Sequence, residues 1–119
     1  MTYLYFQRGY DKLDIKELQT SINETALITV STYQIPTTST ILLYKLTLTS
    51  NQTITLPQIP GTLPSLEGRI FIFIKTQSGG TVTIDGYGSQ TINGALTTTL
   101  TTQYETKTVI CDGGNWLII

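Results

Sequence analysis

Apolar and polar residues alternate with a period of two through most of the chain after its first 25 residues. Residues 53–56 and 81–84 alternate strictly, and the run 42–48 places leucines and a tyrosine on one face. Because successive side chains of a β-strand point to opposite faces of a sheet, this pattern is typical of half-buried strands. The sequence therefore predicts that residues 26–119 form one all-β domain, an antiparallel β-sandwich or jelly-roll-like fold.

One run, residues 69–75, is apolar on both faces. Ile70, Ile72 and Ile74 share one side of the predicted strand, and the two phenylalanines between them share the other. A strand of this kind is normally covered on both faces. We expect it either at the centre of a sandwich, or with one face on its own core and the other on a neighbouring chain.

Turn-forming residues separate the predicted strands. Aspartate or asparagine next to glycine supplies the positive-φ positions that tight reversals need. Pro57 to Pro64 cannot lie inside a sheet, because its prolines lack ladder donors, and it is predicted to be a crossover loop. Reversals are expected near residues 78–80, 86–89, 93–95, 101–103 and 112–115.

The first 25 residues differ from the rest, because charged side chains are concentrated between Arg8 and Glu24. Asp11 can cap a short helix over residues 11–23, whose apolar positions are spaced mainly by threes and fours. We interpret residues 1–25 as a helical or extended attachment segment. It either docks on a larger protein or covers one end of the chain's own β-domain.

Charge and hydropathy argue against two classes of partner. The chain has seven basic and eight acidic side chains and a formal charge of −1, so it has no basic field to hold a phosphate backbone. No apolar run approaches the roughly 20 residues that span a bilayer, and the N-terminus does not resemble a secretion signal. We expect neither nucleic-acid binding nor membrane insertion, and synthesis in the cytoplasm.

Candidate catalytic groups are few. The chain contains no histidine, the usual general base, and Cys111 is its only cysteine. Asp85 and Asp112 stand beside glycines at predicted turns, where aspartate is favoured for backbone hydrogen bonding alone. We therefore predict that the protein is not an enzyme, and that it has no cofactor and no metal site.

Exposed tyrosines are the remaining candidates for ligand contact, since an aromatic ring at a loop can stack on a sugar or fill a partner's pocket. Tyr87, in a glycine-flanked turn, is the first choice, followed by Tyr33 and Tyr104. Alternatively, each ring covers the edge of the core and keeps its hydroxyl in water.

The last fifty residues carry an ordered series of short motifs. They are Gly68-Arg69 before the apolar strand, Val82-Thr83-Ile84, Gln90-Thr91-Ile92-Asn93-Gly94, and Asp112-Gly113-Gly114-Asn115-Trp116 before an apolar end. This series resembles a β-module at the ends of phage tail and head fibres and related virus surface proteins. The resemblance covers residues 68–119 and implies a homotrimeric β-domain that projects from a virion for trimerisation, attachment or decoration.

The C-terminus permits this reading independently. Trp116 and Ile118 can point to one face and Leu117 and Ile119 to the other, so two apolar surfaces need cover. An interface between like chains would cover the second, whereas the alternative is one monomeric sandwich that buries everything. The residues predicted to serve packing and assembly are Ile70, Phe71, Ile72, Phe73, Trp116 and Ile118.

Together these features predict a non-enzymatic viral structural module, a homotrimeric fibre- or capsid-associated protein for assembly or host attachment. Its expected location is the virion, after synthesis in the host cytoplasm. Its expected partners are copies of itself, a larger virion protein held through residues 1–25, and a host glycan or surface protein. The alternatives are a monomeric carbohydrate-binding β-sandwich, and an assembly chaperone or cement protein.

Overall fold

The computed structural model describes residues 24–61 and 65–119, and the secondary structure in these two ranges is entirely β. The predicted helix over residues 11–23 lies outside the described residues. Glu24 and Thr25, the last two residues of the predicted attachment segment, already belong to the first strand. The strands are β1 Glu24–Ile28, β2 Thr32–Gln34, β3 Ile41–Leu46, β4 Gln52–Thr55, β5 Ile70–Lys75, β6 Val82–Asp85, β7 Thr97–Leu100, β8 Thr106–Cys111 and β9 Trp116–Ile118.

In the part of the chain that the structure describes, the nine strands form two sheets that enclose one core. The five-stranded sheet has the order β1-β3-β5-β8-β9, and the four-stranded sheet has the order β2-β4-β6-β7. Buried residues from both sheets belong to a single apolar cluster. The predicted all-β, two-layered architecture is therefore confirmed.

The predicted antiparallel pairing is wrong for the first six strands. Successive strands alternate between the sheets, so β1, β3 and β5 pair in parallel, as do β2, β4 and β6. Only the pairs β5–β8, β6–β7 and β8–β9 are antiparallel. The sheets are mixed, and the jelly-roll part of the prediction is not confirmed. The alternation of apolar and polar residues is the same for either pairing direction, which is why it did not separate them.

Each sheet contributes alternate side chains to the core, as the period of two requires. Tyr44, Phe71, Phe73 and Trp116 are fully buried from the five-stranded sheet. The Tyr44 ring centroid lies 5.6 Å from that of Phe73, and the Phe71 centroid lies 5.6 Å from that of Trp116. Burial of an aromatic side chain of this size stabilises the fold by about 1.5–3 kcal/mol.

At two corners where the chain passes between sheets, polar side chains occupy buried positions. Gln52, at the start of β4, donates from Nε2 to the carbonyl oxygens of Ile28 and Val30 at 3.1 and 2.9 Å. Lys75, at the end of β5, donates from Nζ to the carbonyl oxygens of Gln77 and Gly79. Residues 78–80 thus turn the chain from one sheet into the other, rather than closing the hairpin that the sequence predicted.

Two of the predicted tight reversals are confirmed. Asn93 and Gly94 have φ angles of 50° and 85°, and Ile92 and Ala95 exchange two backbone hydrogen bonds across them. The second reversal joins β8 to β9, where Gly113 has a φ of 102°. Both positions use residues that tolerate positive φ, as turns of this type require. Residues 57–61 of the predicted crossover loop form no strand.

Candidate functional site

The outer face of the five-stranded sheet carries apolar side chains that point away from the core. On β5 the phenylalanines point into the core, so the isoleucines between them point outward and are half-buried. The same alternation turns the leucine of β3, the isoleucine of β8 and the leucine of β9 outward. We name this surface the isoleucine face, and its members are Leu43, Ile70, Ile72, Ile74, Ile110 and Leu117.

The strand register makes these side chains neighbours. Leu43 on β3 lies opposite Ile72 on β5, and Ile70 lies opposite Ile110 on β8. Ile110 in turn lies opposite Leu117 on β9. Residues directly opposite on adjacent strands have Cβ atoms about 5 Å apart, within contact distance for branched side chains. The isoleucine face is therefore a continuous apolar patch that crosses four strands.

Exposed apolar side chains extend this patch to both edges of the sheet, and the polar side chain of Lys45 interrupts one of its rows. Leu117 is 43% exposed, and Ile119, just beyond β9, is 66% exposed. At the opposite edge, Leu27 on β1 is 61% exposed. Lys45 lies between Leu27 and Ile74 in one row of the register and is exposed. Apolar side chains therefore reach both edges of the sheet on this face, with Lys45 among them. Apolar side chains gathered on an exposed face are typical of protein interaction surfaces.

The six residues predicted for packing and assembly fall on two sides of the sheet. Phe71, Phe73 and Trp116 lie in the core. Ile118 is half-buried and packs against the core cluster from the inner face of β9. Ile70 and Ile72 belong to the isoleucine face, which makes them the two members of the set that a neighbouring molecule could contact.

The three tyrosines predicted for ligand contact lie on separate elements. Tyr33 is half-buried on β2, and its ring centroid is 6.3 Å from that of Tyr44 in the core. Tyr87 is half-buried in the loop after β6, whereas Tyr104 is 66% exposed at a turn with a φ of 68°. Among the described residues, no aromatic contact joins any two of these three side chains. They do not form one aromatic platform.

Arg69 fixes the entry to β5, a role that sequence reasoning missed. Its Nη2 atom donates to the carbonyl oxygens of Ser39 and Ile41 at 2.7 and 2.8 Å. Its guanidinium carbon lies 4.7 Å from the Phe71 ring centroid, a cation–π contact. The residue therefore joins the loop before β3 to the strand that carries three members of the isoleucine face.

Lys75 and Gln52 are the other residues that the sequence did not mark as special. Both are 1% exposed, although lysine and glutamine are mostly surface residues. For Lys75 a signal existed, because it has the same parity as Phe71 and Phe73 and follows them on the inner face of β5. The Lys75 ammonium group donates hydrogen bonds to backbone carbonyl groups, so the buried side chain holds the corner after β5 together.

Cys111 and Asp112 were candidate catalytic residues in the sequence, and the structure surrounds both with groups of the fold itself. Cys111 is buried, and loss of hydration raises the pKa of its thiol, which lowers its reactivity as a nucleophile. Asp112 accepts hydrogen bonds at Oδ1 from the backbone N–H groups of Asn115 and Gly114, at 2.8 and 2.9 Å. These bonds hold the pKa of Asp112 below its ordinary value and order the turn between β8 and β9.

Within residues 24–61 and 65–119, no three histidine, cysteine or acidic side chains come together as metal ligands would. The same part of the chain contains no helix long and apolar enough to cross a membrane. A scan against protein-family models found no match, and a search of curated proteins found no similar sequence.

Proposed function

We propose that this protein is a non-enzymatic structural module of a virus particle, a homotrimeric fibre- or capsid-associated protein for assembly or host attachment. The isoleucine face is the contact between its copies. The observation that carries the proposal is the cross-strand row of Ile70, Ile110 and Leu117, beside the pair of Leu43 and Ile72. These are β-branched and leucine side chains where a sheet facing water would carry polar residues.

Contact with a second protein surface would remove this patch from water. Each Å² of apolar surface removed contributes about 25 cal/mol, and a specific interface buries about 800 Å² on each partner. Polar neighbours of the patch include Lys45, Thr25 on β1, and Thr106 and Thr108 on β8. Polar side chains are tolerated at the margin of an interface, because they stay hydrated there.

A physical argument favours copies of the same chain as the partners. A closed assembly covers the apolar face of every copy, whereas a head-to-tail contact that does not close continues into open-ended filaments. The weak net charge of −1 gives little repulsion between copies. The number three comes from the resemblance of residues 68–119 to the end modules of viral fibres. Attachment to a larger virion protein through residues 1–25 stays a prediction, because residues 1–23 lie outside the described part of the chain.

The test is the mass of the full chain in solution, measured by light scattering coupled to size exclusion. We expect three times the chain mass for the wild type. Ile72→Lys places a charge at the centre of the isoleucine face and should give monomers. Thr83→Lys is the matched control, because Thr83 is also half-buried at mid-strand but lies on the outer face of the other sheet. It should remain trimeric.

Circular dichroism and urea unfolding of each variant separate assembly from folding. The proposal requires that the Ile72→Lys protein keeps the β spectrum of the wild type while its mass falls. A wild-type monomer, or an Ile72→Lys protein that remains trimeric, would overturn the proposal.

A further inference from the structure

The outer face of the four-stranded sheet differs in chemistry from the isoleucine face. Thr53 on β4 lies opposite Thr32 on β2 and Thr83 on β6, and Thr83 lies opposite Thr99 on β7. A row of four threonines therefore crosses the whole sheet. In the neighbouring row, the residues in register are Gln34, Thr55, Asp85 and Thr97.

A cavity of about 300 Å³ opens on this face at the β2–β4 pair. Its lining consists of Thr32, Tyr33, Gln34, Thr53 and Thr55. A volume of this order is at the small end of known ligand pockets. It is large enough for one sugar ring and too small for a folded partner.

The lining is rich in groups that both donate and accept hydrogen bonds. Threonine hydroxyls and the glutamine amide each have this dual character. In the described part of the chain, the side chains of Thr32, Gln34, Thr53 and Thr55 make no hydrogen bond with another protein group. Sugar hydroxyls have the same dual character, so they could bond with these groups in either direction.

The charges around the cavity favour a neutral ligand over an anionic one. None of the five lining residues is an aspartate, glutamate, lysine or arginine, and the only acidic or basic residue in the two rows is Asp85. A carboxylate beside the cavity repels sialylated, sulfated and phosphorylated ligands, and no lysine or arginine lies in these rows to attract them. Tyr33 is among the lining residues, but its ring packs against the core from the inner face of β2, so threonine and glutamine side chains form the surface that a ligand would contact.

The geometry points to a neutral sugar as the ligand of this cavity. This inference deepens the proposed function and rests on it for the avidity of three sites, because one shallow site binds weakly and a trimer binds three ends of a branched or repeated glycan together. It also replaces the aromatic loop contacts that the sequence suggested. Of the three tyrosines predicted for ligand contact, only Tyr33 lines this cavity.

The test is binding of the full chain to an array of neutral, sialylated and sulfated oligosaccharides, followed by titration with the neutral oligosaccharide that gives the strongest signal. Thr55→Val removes one hydroxyl and keeps the branched shape. Gln34→Ala removes the amide. Each should weaken binding about three- to tenfold, the size of one lost hydrogen bond. Thr99→Val is the matched control, since Thr99 lies on the same face outside the cavity, and it should bind as the wild type does.

Three results would overturn the inference: no binding to any neutral oligosaccharide, binding to anionic oligosaccharides alone, or equal affinities for the Thr55→Val and Thr99→Val proteins. Light scattering on the same samples separates this inference from the proposed function. A trimer that binds no neutral sugar overturns the sugar site and leaves the assembly proposal standing. A monomer that binds neutral sugar through Thr55 overturns the trimer and with it the avidity argument.

Discussion

Replacement of Gln52 by leucine tests the polar link between the start of β4 and the connection from β1 to β2. Gln52 is buried, and its Nε2 atom donates to the carbonyl oxygens of Ile28 and Val30. Its Oε1 atom accepts a hydrogen bond from the backbone N–H of Leu48 at 3.3 Å. Leucine has a similar volume and makes none of these bonds, so the substitution removes the polar contacts while it largely keeps the packing.

The expected cost follows from which backbone groups lose their partners. The Ile28 carbonyl oxygen still accepts a bond from the backbone N–H of Thr47 at 3.1 Å. The Val30 carbonyl and the Leu48 N–H lose the Gln52 bonds, and no other part of the described chain bonds with them. A partly buried group without a partner costs about 1–1.5 kcal/mol. Gln52→Leu should therefore lower the free energy of unfolding by about 2–3 kcal/mol.

Urea unfolding followed by the fluorescence of Trp116 measures this change. With a slope of about 1–3 kcal/mol per M, the midpoint should fall by about 0.7–3 M. Both proteins must be compared at one concentration, because assembly makes apparent stability concentration-dependent. Gln58→Leu is the control, since Gln58 is exposed in the loop after β4, and it should change stability by less than about 0.5 kcal/mol. Equal midpoints for the two variants would refute the reasoning.

Two further substitutions probe a tight corner and a titrating turn. Gly86→Ala should cost about 1–3 kcal/mol, because the added Cβ would lie 2.0 Å from the carbonyl oxygen of Gln90, whereas Gly61→Ala meets nothing within 4 Å and should be near neutral in urea unfolding. Equal losses of unfolding free energy in Gly86→Ala and Gly61→Ala would contradict this prediction. Glu105 accepts bonds from the backbone N–H groups of residues 101 and 102, which lower its pKa. Since the folded pKa lies below the unfolded one, its stabilisation is present at neutral pH and is lost as pH falls through the folded pKa. Glu105→Gln should thus flatten the decline of the urea midpoint as the pH falls below 4.5, the ordinary glutamate pKa. An unchanged dependence of the urea midpoint on pH in the Glu105→Gln protein would contradict this prediction.

Local patterns identified the two faces of the central strand. The alternation of isoleucine and phenylalanine in β5 predicted that both faces are covered, either at the centre of a sandwich or between the core and a neighbouring chain. The structure buries Phe71 and Phe73, whereas Ile70 and Ile72 remain half-buried. The reversal at Asn93 and the one after Cys111 were likewise readable, because turn preferences depend on the φ angles of single residues. That the outer isoleucines contact another chain stays a prediction.

By itself, the sequence determined that the chain is β-structured and which side chains of most strands point inward, because side-chain direction in a strand follows from local parity alone. The tertiary structure decided which strands pair, that the first six do so in parallel by alternating between two sheets, and that Lys75 and Gln52 are buried at the corners. It also brought Gln34, Thr53 and Thr55 together around one cavity. Pairing joins residues far apart in the chain, and it depends on how the corners direct each strand, which no local repeat of apolar and polar residues encodes.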